Sequence, residues 1–155
     1  MRVAEETAAL SYANRLQVGC IIVKDNRILS IGYNGTPAGW DNVCEKKEYC
    51  LSKTMENEYF PGTENEYPFL DESGRRYRLK TKSEVLHAEQ NCLYKLARSN
   101  DSGNDAVMFI THAPCIECAK GIYASGIIKV YYKEQYRTDD GIKFLEKCGI
   151  DIIKI

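Results

Sequence analysis

Two short stretches, His87-Ala88-Glu89 and Pro114-Cys115-Ile116-Glu117-Cys118, hold the residues of this chain best equipped for chemistry. One imidazole and two thiols make a three-ligand set that suits zinc and leaves a fourth tetrahedral position open for water. Glu89 lies two residues past His87, where its carboxyl can move protons without ligating the metal. Cys115 and Cys118 stand at i and i+3, so a helix starting there presents both sulfurs from its first turn. The positive end of that helix dipole favours the thiolate a metal needs. Singly, the motifs are unspecific: a lone Cys-x-x-Cys also reads as a redox pair or half of a structural zinc site. A closed structural site needs a fourth ligand, and the spare candidate, His112, falls on the approach to the second loop. With proline before the first cysteine and a non-ligand glutamate after the histidine, the combined set points to a catalytic metal.

Hydrophobic periodicity supplies the supports. Residues 2–15 carry Val3, Ala4, Thr7, Ala8, Leu10 and Ala13 at helical spacing. Residues 17–23 and 28–33 are β-rich runs joined at Asp25-Asn26, a hairpin signal, although Asn-Arg is a weaker turn than Asn-Gly. Gly32-Tyr33-Asn34-Gly35-Thr36-Pro37 then breaks the strand. On turn statistics alone, Asn34 between two glycines reads as a residue tolerant of positive φ. Beyond residue 84, expected helices over 84–98, 115–125 and 139–148 alternate with expected strands over 106–111, 127–132 and 150–155. Such alternation implies right-handed crossovers and an α/β fold with a largely parallel sheet and helices on both faces. Sites in such sheets lie at strand ends facing helix N-termini, where both halves of the metal motif fall.

Residues 38–83 break this pattern. They are polar, Tyr-rich and interrupted by Gly and Pro, which reads as an irregular insertion tied to function or to a partner. The basic run Arg75, Arg76, Arg78, Lys80 and Lys82 follows the acidic Glu64, Glu66, Asp71 and Glu72. It reads either as a solvated loop of offsetting charges or as an anion site. In Tyr131-Tyr132, strand alternation sends the rings to opposite faces, so one of them packs. Tyr136 lies beyond that strand end and is better placed for a ligand. Arg98 suits the C-terminus of its helix electrostatically.

Composition narrows the partners. The 155 residues are 44% hydrophobic and 28% charged, as in an ordinary globular protein of one domain spanning 1–155. A formal charge of −1 argues against a nucleic-acid binder, which usually carries a strongly basic face. No apolar run approaches the ~20 residues of a membrane span, and the N-terminus lacks a signal-peptide pattern. The seven cysteines are odd in number and irregularly spaced, which fits a reduced cytoplasmic setting.

The sequence resembles the cytidine deaminase-like superfamily, and most closely its deoxycytidylate (dCMP) deaminase branch. His-x-Glu with Pro-Cys-x-x-Cys is the general signature of zinc nucleobase deaminases. The likeness runs from Gln17-Val18-Gly19-Cys20-Ile21-Ile22-Val23 through Gly32-Tyr33-Asn34-Gly35 to Pro114-Cys115 and Cys118-Ala119. The Gly-Tyr-Asn-Gly turn narrows the match to the dCMP branch, and the compact chain fits a phage-type enzyme in a host cytoplasm. The resemblance implies a three-layer α/β/α sandwich with a mixed, mostly parallel five-stranded sheet. It implies zinc on His87, Cys115 and Cys118, with Glu89 as the proton-transfer residue and dCMP hydrolysed to dUMP and ammonia for thymidylate synthesis. Backbone N–H groups of Ala88 and Cys115, with Asn34 and Tyr136, are the implied substrate contacts.

The same likeness implies a homohexamer activated by dCTP, with Mg2+ on the triphosphate, and inhibited by dTTP. Gly32, Tyr33, Gly35 and Arg98 are the implied effector positions. Relatives often carry a second, structural zinc, but Cys44 and Cys50 have no spare histidine in the insertion, so one zinc per chain is expected. The alternatives are a tRNA adenosine or other nucleobase or nucleoside deaminase of the superfamily and, from another class, a non-catalytic zinc-stabilised module. Retention of Glu89, which such a module does not need, discriminates against the last.

Overall fold

Asp25 and Asn26 both take left-handed backbone (φ 49° and 59°), the two-residue turn whose twist matches that of a β-hairpin. They join β1 (Gly19–Lys24) to β2 (Arg27–Tyr33), with Lys24 paired to Arg27 beside the turn. No glycine is present because Asp and Asn tolerate this conformation better than other side chains. The computed structural model describes residues 1–51, 53 and 58–155. Residues 52 and 54–57, within the expected insertion, lie outside the described residues.

The hairpin opens a five-stranded sheet of order β2-β1-β6-β7-β8, completed by β6 (Val107–His112), β7 (Lys129–Glu134) and β8 (Asp151–Lys154). β1 pairs antiparallel with β2 and with β6, whereas β6/β7 and β7/β8 are parallel. The sheet is therefore mixed, its parallel half confined to the strands joined by helical crossovers. Those crossovers are α4 (Ile116–Ala124) and α5 (Asp140–Lys147), while α3 (Ala88–Ala97) precedes β6.

Two glycines show how the layers sit. A Cβ on Gly19 would lie 2.0 Å from the Ala4 carbonyl oxygen of α1 (Arg2–Ala8). One on Gly32 would lie 2.3 Å from the Ala88 carbonyl oxygen and 2.5 Å from the Cys92 nitrogen of α3. Gly32 pairs with Cys20, the residue after Gly19, and successive strand residues face opposite sides. Thus α1 covers one face of the sheet and α3 the other. The main core lies on the α3 side, where Ile22, Met108, Ile110 and Val130 meet Ile122 of α4 and Leu145 of α5. Full burial of each large aliphatic side chain stabilises the fold by about 1.5–3 kcal/mol.

The first helix is shorter than the expected 2–15, stopping at Ala8. Ser11 draws the chain away: its hydroxyl donates to the Asn34 carbonyl (2.7 Å) and accepts from the Ala13 N–H (3.2 Å). Such side-chain bonds compete with a helical ladder.

Part of the insertion, among the described residues, is regular. β3 (Glu45–Tyr49), β4 (Phe69–Leu70) and β5 (Arg76–Thr81) form a second, antiparallel sheet of order β3-β5-β4, with the short α2 (Thr63–Glu66) before β4. Tyr77 gathers Tyr49 (centroids 5.8 Å apart) and Phe69 (5.4 Å). Glu48 binds both Arg78 and Lys80 at 2.5 Å, and Arg78 also reaches Glu66. Arg75 pairs with Asp71 at 3.2 Å. The basic run is therefore largely a strand rather than a loop, and Arg75, Arg78, Lys80 and Lys82 each have a carboxylate partner. Its alternation was hidden because ion pairs and tyrosines, rather than aliphatic residues, line its faces.

Candidate active site

His87 and Cys115 each occupy the residue before a helix, His87 before α3 and Cys115 before α4, both in extended backbone. The His87 N–H donates to the Gln90 side chain (3.0 Å), which closes the start of α3. The Cys115 carbonyl accepts from the Ala119 N–H (2.9 Å), which starts α4 directly after the loop from β6. Gly141 of α5 lets that helix close against the loop, since a Cβ there would stand 2.0 Å from the Pro114 carbonyl oxygen.

This arrangement brings His87 Nδ1 to 3.5 Å from Cys115 Sγ and 3.4 Å from Cys118 Sγ. Tetrahedral zinc with Zn–N and Zn–S bonds of about 2.0 and 2.3 Å separates such ligand atoms by roughly 3.6 Å. All three ligand atoms fall within 4.8 Å of one another, so the donor set fits the metal. Acidity agrees with it. Hydrogen bonding from Cys118, with further help from His87, holds the Cys115 thiol down to about 3. The Cys118 thiol is pushed up by that same hydrogen bond and by burial. A divalent cation between the two sulfurs favours the thiolate form of both.

Glu89 follows on the second residue of α3 and is only 4% exposed. Burial pushes its carboxyl up to about 7, against the pull of its own backbone N–H and of His87. A fully buried carboxyl without an ion-pair partner is unusual unless it has a task. Among the described residues, the N–H groups of Ala88 and Cys115 have no acceptor within the protein. Both stand at helix starts, where the dipole favours an incoming oxygen.

These groups open onto a cavity of about 350 Å³. Asn34, Ala88, Cys115 and Tyr136, the four expected substrate contacts, all line it, as does His112. His112 bonds to Thr111 Oγ1 (3.2 Å), and burial lowers its pKa. Asn34 does not take the positive φ that its flanking glycines suggested. Its side chain stitches the chain together instead: Oδ1 accepts from the Val18 N–H (2.7 Å) and Nδ2 donates to the Leu16 carbonyl (2.8 Å).

Four polar lining residues were not singled out from the sequence: Arg15, Glu45, Thr81 and Arg137. Nothing local marks them, because Glu45 and Thr81 reach the cavity from the second sheet. Arg15 and Arg137 are exposed at the mouth, and among the described residues neither has a carboxylate within ion-pairing distance. Two unneutralised guanidinium groups about a buried acid suit an anionic ligand.

Of the expected effector positions, Gly32 has the packing role described above. Gly35 exchanges hydrogen bonds with Leu86 (3.1 and 2.9 Å), one residue before His87. The Tyr33 carbonyl accepts from Asn91 of α3 (2.9 Å), and Arg98 is exposed at the far end of that helix.

Residues 1–134 match the cytidine and deoxycytidylate deaminase zinc-binding region. The chain belongs to that family. It is 32% identical to the deoxycytidylate deaminase of Enterobacteria phage T2, over 99% of this chain and 86% of that one. The Saccharomyces cerevisiae deoxycytidylate deaminase is 28% identical over 98% of this chain and 42% of its own length. The dCMP deaminase of cyanophage S-TIM5, solved with dCMP and dUMP, superposes with a TM-score of 0.75 at 34% identity, covering 99% of this chain and 92% of that one. A tRNA:A34 deaminase shares the fold at 16% identity and a TM-score of 0.53. Zinc is the family's metal, and the His87, Cys115 and Cys118 cluster is built to receive it.

Proposed function

We propose that the chain is a zinc-dependent dCMP deaminase, converting dCMP and water to dUMP and ammonia. The observation that carries this is Glu89, a buried acid that is no metal ligand, opening onto the cavity beside His87, Cys115 and Cys118. When bound there, zinc supplies a water acidic enough to act as nucleophile near neutral pH. Glu89 would take one proton from the attacking water and deliver it to the pyrimidine ring nitrogen. It would then carry the second proton, from the hydroxyl so added to the ring carbon, to the amino group, which leaves as ammonia as the new carbonyl forms. The N–H groups of Ala88 and Cys115 receive the pyrimidine carbonyl. Asn34, its amide oriented by Val18 and Leu16, meets the deoxyribose. Arg15, Arg137 and Tyr136 at the mouth take the 5′-phosphate, which favours a nucleotide over a free nucleoside.

The regulatory part of the reading is a cytoplasmic homohexamer activated by dCTP with Mg2+ and inhibited by dTTP. Trp40, Phe60, Phe69 and Leu70 stand 43–56% exposed on the insertion, and an interface would cover them. An effector at Gly32, Tyr33 and Gly35 has a short route to the metal, through the Gly35–Leu86 bridge to His87. Arg98 would serve only as a distant electrostatic contributor.

The test is deamination of dCMP, dCTP, cytidine and an adenosine-bearing tRNA hairpin by purified zinc-loaded protein, with and without dCTP–magnesium or dTTP. We expect preference for dCMP, and Glu89→Gln protein that keeps zinc yet loses turnover by at least about 10²-fold. Substantial dCMP deamination by zinc-loaded Glu89→Gln protein would defeat the mechanism. A preference for the tRNA hairpin would defeat the substrate assignment.

A further inference from the structure

Glu45 is only 6% exposed and stands at the start of β3. One of its oxygens accepts both the Asn14 N–H (3.1 Å) and the Arg15 N–H (3.2 Å). The other accepts the Asn14 side-chain amide (3.4 Å). A buried carboxylate spent on two consecutive backbone N–H groups clamps that loop in one conformation. Thr81 is the cross-strand partner of Glu45 in the β3–β5 ladder, and its hydroxyl accepts from the Arg15 guanidinium (3.1 Å). Paired residues at one end of the β3–β5 ladder thus fix Arg15 twice, by its backbone and by its side chain. Glu45 does not neutralise the guanidinium: no carboxylate among the described residues lies within ion-pairing distance of it. Thr81 occupies only part of the five-donor fork, which leaves the rest for an anion. Arg15, Glu45 and Thr81 all line the cavity that holds His87 and Glu89.

We infer that the Glu45–Thr81 pair of the insertion is a specificity-determining device, which holds Arg15 in place to receive the phosphate monoester of the substrate. This rests on the reading of Arg15 as a phosphate contact. The placing of Arg15 for the phosphate is then a property of the insertion, while proton transfer belongs to the first sheet and its helices. Glu45 and Thr81 are positioning residues, and they act through Arg15. A fixed guanidinium binds a phosphate better than a mobile one because less side-chain freedom is lost on binding.

The experiment compares kcat/KM for dCMP and for deoxycytidine, which differ only by the phosphate, in zinc-loaded full-length protein. In Thr81→Val protein we expect the dCMP-to-deoxycytidine ratio to fall about tenfold, chiefly through KM for dCMP. Thr81→Ser, which keeps the hydroxyl, should restore it. Arg15→Ala should lower the ratio at least as far, and adding Thr81→Val to it should lower it no further. If Arg15→Ala lowers the ratio while Thr81→Val leaves it at the wild-type value, the positioning inference is overturned and the phosphate reading stands. If Arg15→Ala leaves the ratio unchanged, the phosphate reading of Arg15 falls, and the inference with it. Glu45→Gln is a second probe, and where it costs zinc or folding, the half-buried Thr81 decides.

Discussion

Gly32→Ala is the sharpest test of how the fold builds the site. A Cβ at Gly32 would sit 2.3 Å from the Ala88 carbonyl oxygen, 2.5 Å from the Cys92 nitrogen and 2.8 Å from Cys92 Cβ. Two of these neighbours are backbone of α3, so no side chain can swing aside to make room. The helix has to retreat by about 1 Å to restore ordinary van der Waals contact. Overpacking of this kind costs about 1–3 kcal/mol, a fall in Tm of about 2–12 °C for a chain of this size. The moving segment carries Ala88 and Glu89, and His87 immediately before it. A displacement of about 1 Å at reacting groups can lower kcat/KM by ~10²-fold. Thermal unfolding, zinc content and dCMP kinetics on one preparation measure all three effects. Gly35→Ala is the control from the same turn: its Cβ meets only the Tyr33 ring, at 3.8 Å, so Tm should hold or rise slightly. Wild-type Tm and kcat/KM in Gly32→Ala protein would refute the close-approach argument.

Asn34→Ala should destabilise the protein by about 1–3 kcal/mol even without substrate, because the Val18 N–H and Leu16 carbonyl lose their partners. Denaturant unfolding measures it, and an unchanged midpoint would make the amide a substrate contact alone. Asp71 accepts from the Ser73 hydroxyl and N–H and from the Arg75 N–H, and these bonds, led by the Ser73 hydroxyl, hold its carboxyl well below its ordinary 3.8. A depressed pKa stabilises the turn before β5 above pH 3.8 and loses that support as pH falls towards the folded value. Protection of the Gly74 and Arg75 amides, measured relative to their intrinsic exchange rate at each pH, should therefore fall in acid, and Asp71→Asn should remove that dependence. A wild-type acid profile in Asp71→Asn protein would rule this turn out as the sensor.

Much of the site was legible because its motifs are short and sit where local structure changes. His87 and Cys115 precede helices, and a helix start can be read from a few neighbouring residues. The alternation of helix and strand beyond residue 84 was equally plain, since aliphatic periodicity records which face is buried. The insertion was not legible as a sheet. Arg76, Arg78 and Lys80 alternate with Tyr77, Leu79 and Thr81, but the charged members carry a strand's rhythm without its usual apolar signal. The end of α1 was misjudged for a related reason, because Ser11 is drawn to Asn34, a residue 23 positions away.

By itself, then, the sequence determined the metal ligands, the acid beside them and the crossover half of the fold, all of which depend on local order. Only the tertiary structure could decide that Arg15, Glu45, Thr81 and Arg137 share one cavity, that Asn34 braces the chain behind it, and that Gly32 sets the seat of α3. Those arrangements depend on hydrogen bonds and close contacts between segments distant in the chain. A polar contact made once across such a distance leaves no periodic trace in the residues around it.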